Sequence, residues 1–204
     1  MFCNALCSPG EVFVQRNVGN LIPGNDLNAL SVLEFAVGHL GVTDIIVTGH
    51  YNCGAVRAAT SRQDLGMLEN WLRQIRDVYR LHREYLDSIT VSTSNWRLAG
   101  CWFIICQDDE QRHKALVELN VIEQCLNIYK TGTVQRKRIQ TKNKLVKAAG
   151  GNNIDENEIF PRIHGMVFNI NDGSLKKIPV DFKKRIGPLD HIYGLYSRSN
   201  PVDE

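Results

Sequence analysis

"DIIVTGHYNCGAV", residues 44–56, decides how this chain is read. Asp44–Thr48 is a continuous apolar, β-branched run ending in a threonine, the pattern of a strand buried on both faces of a parallel sheet. Gly49 breaks it, and His50 and Cys53 follow three residues apart, with Gly54 just beyond. Ala55–Thr60 then reads as the start of a helix. An imidazole and a thiol therefore sit just past the carboxyl end of a buried strand, which is where open α/β sheets place their ligand sites. Imidazole nitrogen and thiolate sulfur are also preferred donors for zinc. A lone histidine near a lone cysteine is usually structural, so spacing alone is weak evidence for zinc; the position at a strand's carboxyl end strengthens it.

Working outward, Glu11–Gln15 (EVFVQ) alternates and reads as a short strand. The Gly- and Pro-punctuated stretch after it reads as loop. Asn25 or Asp26 caps a helix running to about His39, with Leu27, Leu30, Leu33, Ala36 and Val37 at helical spacing. Strand, helix and strand in that order predict a right-handed parallel crossover from 11–15 to 44–48. An amphipathic helix is predicted from about Leu65 to Leu86, with arginines at 62, 73, 76, 80 and 83 on its polar side. Helical periodicity returns from Asp109 to Tyr129. The basic run "VQRKRIQTKNKLVK", 134–147, carries six basic residues and no acidic one. It lacks interleaved aromatics and any recognition motif, so it reads as a solvated helix face rather than a nucleic-acid site. "AAGGNNIDENE" after it reads as an exposed loop. Arg162–Ile170 is a strand, "NDG" at 171–173 a hairpin turn, and Ser174–Val180 the partner strand, placed at a sheet edge by Pro179. The fold class is α/β: a central, mostly parallel sheet flanked by helices, with a C-terminal hairpin adding an edge strand. No internal repeat or linker divides residues 1–204, so one domain is expected.

The chain has 204 residues and a formal net charge of +2, with 43% hydrophobic and 23% charged residues. These are the proportions of a globular protein with a real core. The near-neutral balance does not ask for nucleic acid or an anionic membrane. The longest apolar run, Leu98–Cys106, falls far short of the roughly 20 residues a spanning helix needs. "MFCNALCSPGEVF" has neither a secretory signal nor a transit peptide's character, so a cytoplasmic location is expected. There, the six cysteines are thiols or metal ligands rather than disulfides. Cys101 and Cys106, in an apolar run, are expected to be buried and inert.

The stretch "GHYNCGAV", preceded by "DIIVT" and "FVQRNVGNLI…NDLNALSVLEFAV", closely resembles the β-class carbonic anhydrases of fungi and bacteria. The resemblance continues through "LGMLENWLRQIRDVYRLH", "LVELNVIEQCLNI" and "IHGMVFNINDGSLKKIPVDF", over about residues 11–178. It implies reversible hydration of CO2 to bicarbonate and a proton, Zn2+ as cofactor, and a homodimer or higher even oligomer. It also implies zinc held by a cysteine, a histidine and a second cysteine, of which His50 and Cys53 match the last two. Arg16 matches an arginine that helps bind bicarbonate in some members. Gly54 matches the glycine that offers its N–H near the metal.

The chain departs from the family near 92–107 and near 142–158, and in lacking the upstream C-x-D-x-R motif that carries the first zinc cysteine. Relative to the family it reads as N-terminally truncated. Three expectations follow: a fragment of an active enzyme, a catalytically inactive homologue serving as a structural or dimerisation partner, or a substitute ligand from Cys3 or Cys7. His39, His82, His113 and His191 have no metal-like spacing and read as surface or structural. His164 reads as a core position in its strand.

Overall fold

The structure, a computed structural model, describes residues 8, 10–89, 101–149 and 154–195, the side chains of 101–108 excepted. Its sheet has three strands, β1 (Asp44–His50), β2 (Arg162–Phe168) and β3 (Leu175–Ile178), in the order β1-β2-β3. β1 and β2 are parallel, with Asp44 opposite Arg162 and His50 opposite Phe168. β2 and β3 are antiparallel, joined by the expected hairpin, whose Gly173 takes φ +74. β3 is an edge strand and stops at Ile178, immediately before Pro179. The class is α/β, and the sheet is mixed: one pairing parallel, one antiparallel.

The sheet departs from expectation at its start. Glu11–Gln15 joins no strand among the described residues, and Val12, Phe13 and Val14 are 46%, 48% and 61% exposed. Alternation fits a segment for a half-buried pleated surface, yet a strand needs a ladder partner, and none is described beside this one. The predicted crossover into β1 is therefore not made. β1 takes its parallel partner from 118 residues further on.

Eight α-helices are described around the sheet: α1 (Leu27–Glu34), α2 (Gly54–Thr60), α3 (Leu68–Leu81), α4 (Arg83–Ser88), α5 (Cys101–Tyr129), α6 (Gly132–Ala148), α7 (Phe182–Ile186) and α8 (Asp190–Tyr193). The Asp26 carboxylate caps α1, accepting from the N–H groups of Asn28 and Ala29 at 3.0 and 3.4 Å. A π-helical turn, Phe35–His39, extends α1 to the predicted end. The helix expected over 65–86 is two helices, broken at His82, where φ is −112. The imidazole of His82 is held 2.9 Å from Glu123, so a tertiary contact fixes the break that periodicity does not show.

α5 is the spine of the core. Leu116, Val117, Val121 and Cys125 are buried. The two strand glycines lie against this helix: a Cβ on Gly49 would sit 2.7 Å from Val121 Cγ2, and one on Gly165 would sit 3.0 Å from Val121 Cγ1 and 3.5 Å from Cys125 Sγ. Glycine at these two positions lets α5 approach closer than any side chain on β1 or β2 would allow. Burial pushes the Cys125 thiol up to about 12. Two buried amides on the same helix fasten the loop before α1. Asn120 Nδ2 donates to Gly19 O at 2.9 Å, and Gln124 Oε1 accepts from Ile22 N at 2.8 Å.

Two further expectations change. Residues 92–100 lie outside the described ones, but α5 begins at Cys101, eight residues earlier than periodicity predicted. The divergent stretch near 142–158 is helical as far as Ala148. Within the basic run, Arg136, Lys142, Lys144 and Lys147 are exposed, as a solvated helix face requires. Arg138 is turned inward instead, donating to the carbonyls of Ile159 and Pro161 at 2.9 and 2.7 Å over the Tyr129 ring.

Candidate metal centre

β1 delivers His50 at its carboxyl end, and the ladder runs one residue further, where Tyr51 N donates to Phe168 O at 2.9 Å. The chain then reverses through Asn52 in the left-handed region, φ +58. Asparagine tolerates that conformation better than most residues. Cys53 follows as the N-cap residue of α2. The turn is pinned from beneath. The Tyr51 hydroxyl donates to Glu118 on α5, and Lys176 on β3 donates to the same carboxylate oxygen at 2.7 Å. Burial, reinforced by the Glu118 carboxylate, raises the Tyr51 phenol above its ordinary value and keeps it a donor.

Two residues with the right donor chemistry lie on this turn, one exposed and one packed into the core. His50 is exposed, and its Nδ1 lies 2.9 Å from the carbonyl of Tyr51. A carbonyl only accepts, so Nδ1 carries the proton, and in the neutral ring Nε2 presents its lone pair. Fixing one ring nitrogen on a backbone carbonyl is the usual way a ligating histidine is oriented. Cys53 is a free thiol, 6% exposed. Gly54 opens α2 with nothing within 4 Å of where a Cβ would stand, so of the two flanking glycines only Gly49 is required by close packing. Arg16 is exposed, and no described hydrogen bond or ion pair joins it to His50 or Cys53. Among the described residues, no three His, Cys, Asp or Glu side chains converge on one point where an ion could be held.

His113, read from sequence as surface or structural, is 6% exposed on α5, and its Nε2 has no hydrogen-bond partner. Burial lowers its pKa, and Arg57, Glu110 and His50 are the charges that act on it. It stands in i, i+4 register with Val117 and Val121, the residues under Gly49. That register was visible in the sequence, but nothing there said which face of α5 meets β1. At the opposite end of β1, Asp44 accepts from Arg162 Nε and Nη2 at 2.8 and 2.7 Å, with His164 Nε2 2.8 Å away. The Arg162 guanidinium holds Asp44 well below the usual carboxylate range. His164 is accordingly a half-buried partner of Asp44, not a core residue.

A sequence model of the carbonic anhydrase family matches residues 4–175. A carbonic anhydrase of Emericella nidulans is 44% identical over 191 residues, covering 94% of this chain and 69% of that protein. The chain belongs to the carbonic anhydrase family. Its fold agrees with that of β-carbonic anhydrases. The enzyme CafA of Aspergillus fumigatus superposes with a TM-score of 0.64 at 25% identity, over 91% of this chain and 73% of that one. A tetrameric β-carbonic anhydrase of Sordaria macrospora superposes at 0.59 and 27%, over 84% and 70%. No described helix is long and apolar enough to cross a membrane.

Proposed function

We propose that this chain catalyses zinc-dependent, reversible hydration of CO2 to bicarbonate and a proton, with His50 and Cys53 as two of the protein donors to zinc. One observation carries the reading: the His50 ring is locked by its Nδ1–H on the Tyr51 carbonyl, leaving Nε2 free three residues before a free thiol. These are nitrogen and sulfur donors of the kind zinc takes, on a turn fastened to both α5 and β3. Bound zinc would supply Lewis acidity, lowering the pKa of water from about 15.7 towards 7.

The protein's part is positional. Tyr51 and Glu118 hold the turn, and the Asn52 reversal carries the chain from His50 to Cys53, whose side chain is buried with the core. The exposed guanidinium of Arg16 suits an anion such as bicarbonate, and Gly54 offers a backbone N–H beside Cys53. The free thiols of Cys53 and Cys125 agree with a reducing, cytoplasmic setting. Assembly into a homodimer or larger even oligomer is part of the proposal, supported by the tetrameric relative.

Zinc content and stopped-flow CO2 hydration test this directly. His50→Ala and Cys53→Ser are expected to remove bound zinc and hydration together. Hydration unchanged in both variants would overturn the proposal. Zinc retained without hydration would instead favour a catalytically inactive homologue acting as a partner subunit.

A further inference from the structure

Three residues far apart in the chain meet at one oxygen beneath the His50 turn. The Tyr51 hydroxyl and Lys176 Nζ both donate to Glu118 Oε1, Lys176 at 2.7 Å. A carboxylate oxygen has two lone-pair sites, so one oxygen takes both donors. Glu118 is a firm anchor, because its helical neighbours Val117 and Val121 are buried against Gly49 of β1. The Glu118 and Lys176 side chains are 28% and 56% exposed, and an ion pair this open to water adds little to stability. The network needs another reason to exist.

Its geometry supplies one. Tyr51 is held at its hydroxyl by α5 and at its amide by β2, where its N–H donates to Phe168 O at 2.9 Å. The same residue carries the carbonyl that accepts from His50 Nδ1 at 2.9 Å. With Tyr51 fastened at both points, only the torsion leading into Asn52 is left to aim that carbonyl, and Asn52 is committed to φ +58. Freeing the ring removes one of the two restraints. Among the described residues, no hydrogen bond joins Glu118 to His50 or Cys53, so what Glu118 does for the site passes through Tyr51.

We propose that Glu118 is a positioning residue for His50: by holding the Tyr51 ring it aims the Tyr51 carbonyl, which keeps the His50 proton on Nδ1 and the lone pair on Nε2. The hydrogen bond made by one imidazole nitrogen decides which nitrogen is free to ligate. What Glu118 supplies is an acceptor in the right place, not a negative charge. A glutamine there would offer one amide oxygen to the same two donors. The consequence for metal affinity rests on the zinc reading above, whereas the tautomer belongs to the metal-free chain.

The test uses the whole chain, labelled with 15N at histidine and stripped of metal by chelation. The ring nitrogens of His50 are read by long-range 1H–15N correlation at about pH 8, above the ordinary histidine value near 6.5. His50→Ala identifies the His50 signals among the six histidines. Wild type and Glu118→Gln are expected to show His50 protonated at Nδ1. Glu118→Leu and Tyr51→Phe are expected to show a mixture of the two tautomers, as in a ring released to water. Tyr51→Phe removes a single hydroxyl, so it keeps the test valid should Glu118→Leu fold poorly. Zinc affinity, measured against a chromogenic chelator, is expected to fall about 10–100-fold in Glu118→Leu and Tyr51→Phe, the usual loss of an outer partner, and by less than about threefold in Glu118→Gln. The Nδ1-protonated pattern unchanged in both Glu118→Leu and Tyr51→Phe would overturn the inference, whatever their zinc affinity. A mixture in Glu118→Gln as large as in Glu118→Leu would overturn it too, since charge rather than place would then be at work. The expected tautomers together with zinc affinity unaltered in His50→Ala would uphold the positioning and remove the zinc reading.

Discussion

Gly49→Ala is the sharpest probe of how β1 presents its donors. The added Cβ would stand 2.7 Å from Val121 Cγ2 and 3.6 Å from Val117 Cγ1. Ordinary carbon contacts lie at about 3.5–4.0 Å, so strand and helix would have to separate by roughly 1 Å. Both partners are β-branched and fully packed, with Val121 0% exposed, so neither can swing aside cheaply. Overpacking of this kind costs about 1–3 kcal/mol. At a urea slope of about 2 kcal/mol per M, a 2 kcal/mol loss lowers the unfolding midpoint by about 1 M. Val121→Ala removes the colliding methyl and alone costs about 2 kcal/mol in lost burial and cavity. In Gly49→Ala/Val121→Ala the new methyl occupies the space vacated, so the pair is expected to lose about 2 kcal/mol rather than 4, a coupling of about 2 kcal/mol. Urea unfolding of the four proteins measures this. Additivity within about 0.5 kcal/mol would refute the claim that Gly49 exists to admit α5.

Asp44→Asn tests the far end of the strand. A carboxylate with a depressed folded pKa contributes stability that is present above its unfolded value near 4 and is lost as pH falls. With both partners partly open to water, that contribution is about 1 kcal/mol. Asp44→Asn is thus expected to lower urea midpoints near pH 6 by more than it does near pH 2; a constant difference across that range contradicts the assignment. Gln124→Leu strands the Ile22 N–H and one end of the Asn120 amide, and is expected to cost about 1–3 kcal/mol by urea unfolding. Cys125, buried and pushed up to about 12, is expected to resist iodoacetamide at pH 8 until urea unfolds the chain, as read by mass spectrometry. Rapid native labelling would show that the α5 face is not closed.

Much of this was legible in the chain itself. The Asp26 cap and the Asn-Asp-Gly turn each rest on local physics, and each stands where the residues placed it. The run at 44–48 is a strand as expected, but not one buried on both faces: Val47 and Gly49 are buried while Ile46 is 55% exposed on the other face. Glu11–Gln15 pairs with no described strand because alternation reports a surface to be covered, not a partner to pair with. The break at His82 and the inward turn of Arg138 depend on Glu123 and on the Ile159 and Pro161 carbonyls, which lie far along the sequence. At the candidate site, His50 and Cys53 announce themselves by residue type and position. The tautomer of His50 does not, since it depends on the Tyr51 carbonyl, and neither does His113, whose neighbourhood exists only once α5 has found β1.

The parallel pairing of β1 with β2 also has a cost in time. Asp44 meets Arg162 across 118 residues, so the sheet cannot close until the ribosome has made nearly everything between them. At roughly 5–20 residues per second that is about 6–24 s after β1 appears. Throughout that interval the thiol of Cys53 and the apolar strand behind it are naked to oxidants and to other nascent chains. Slow synthesis or oxidative stress should therefore harm the newborn polypeptide far more than the finished molecule.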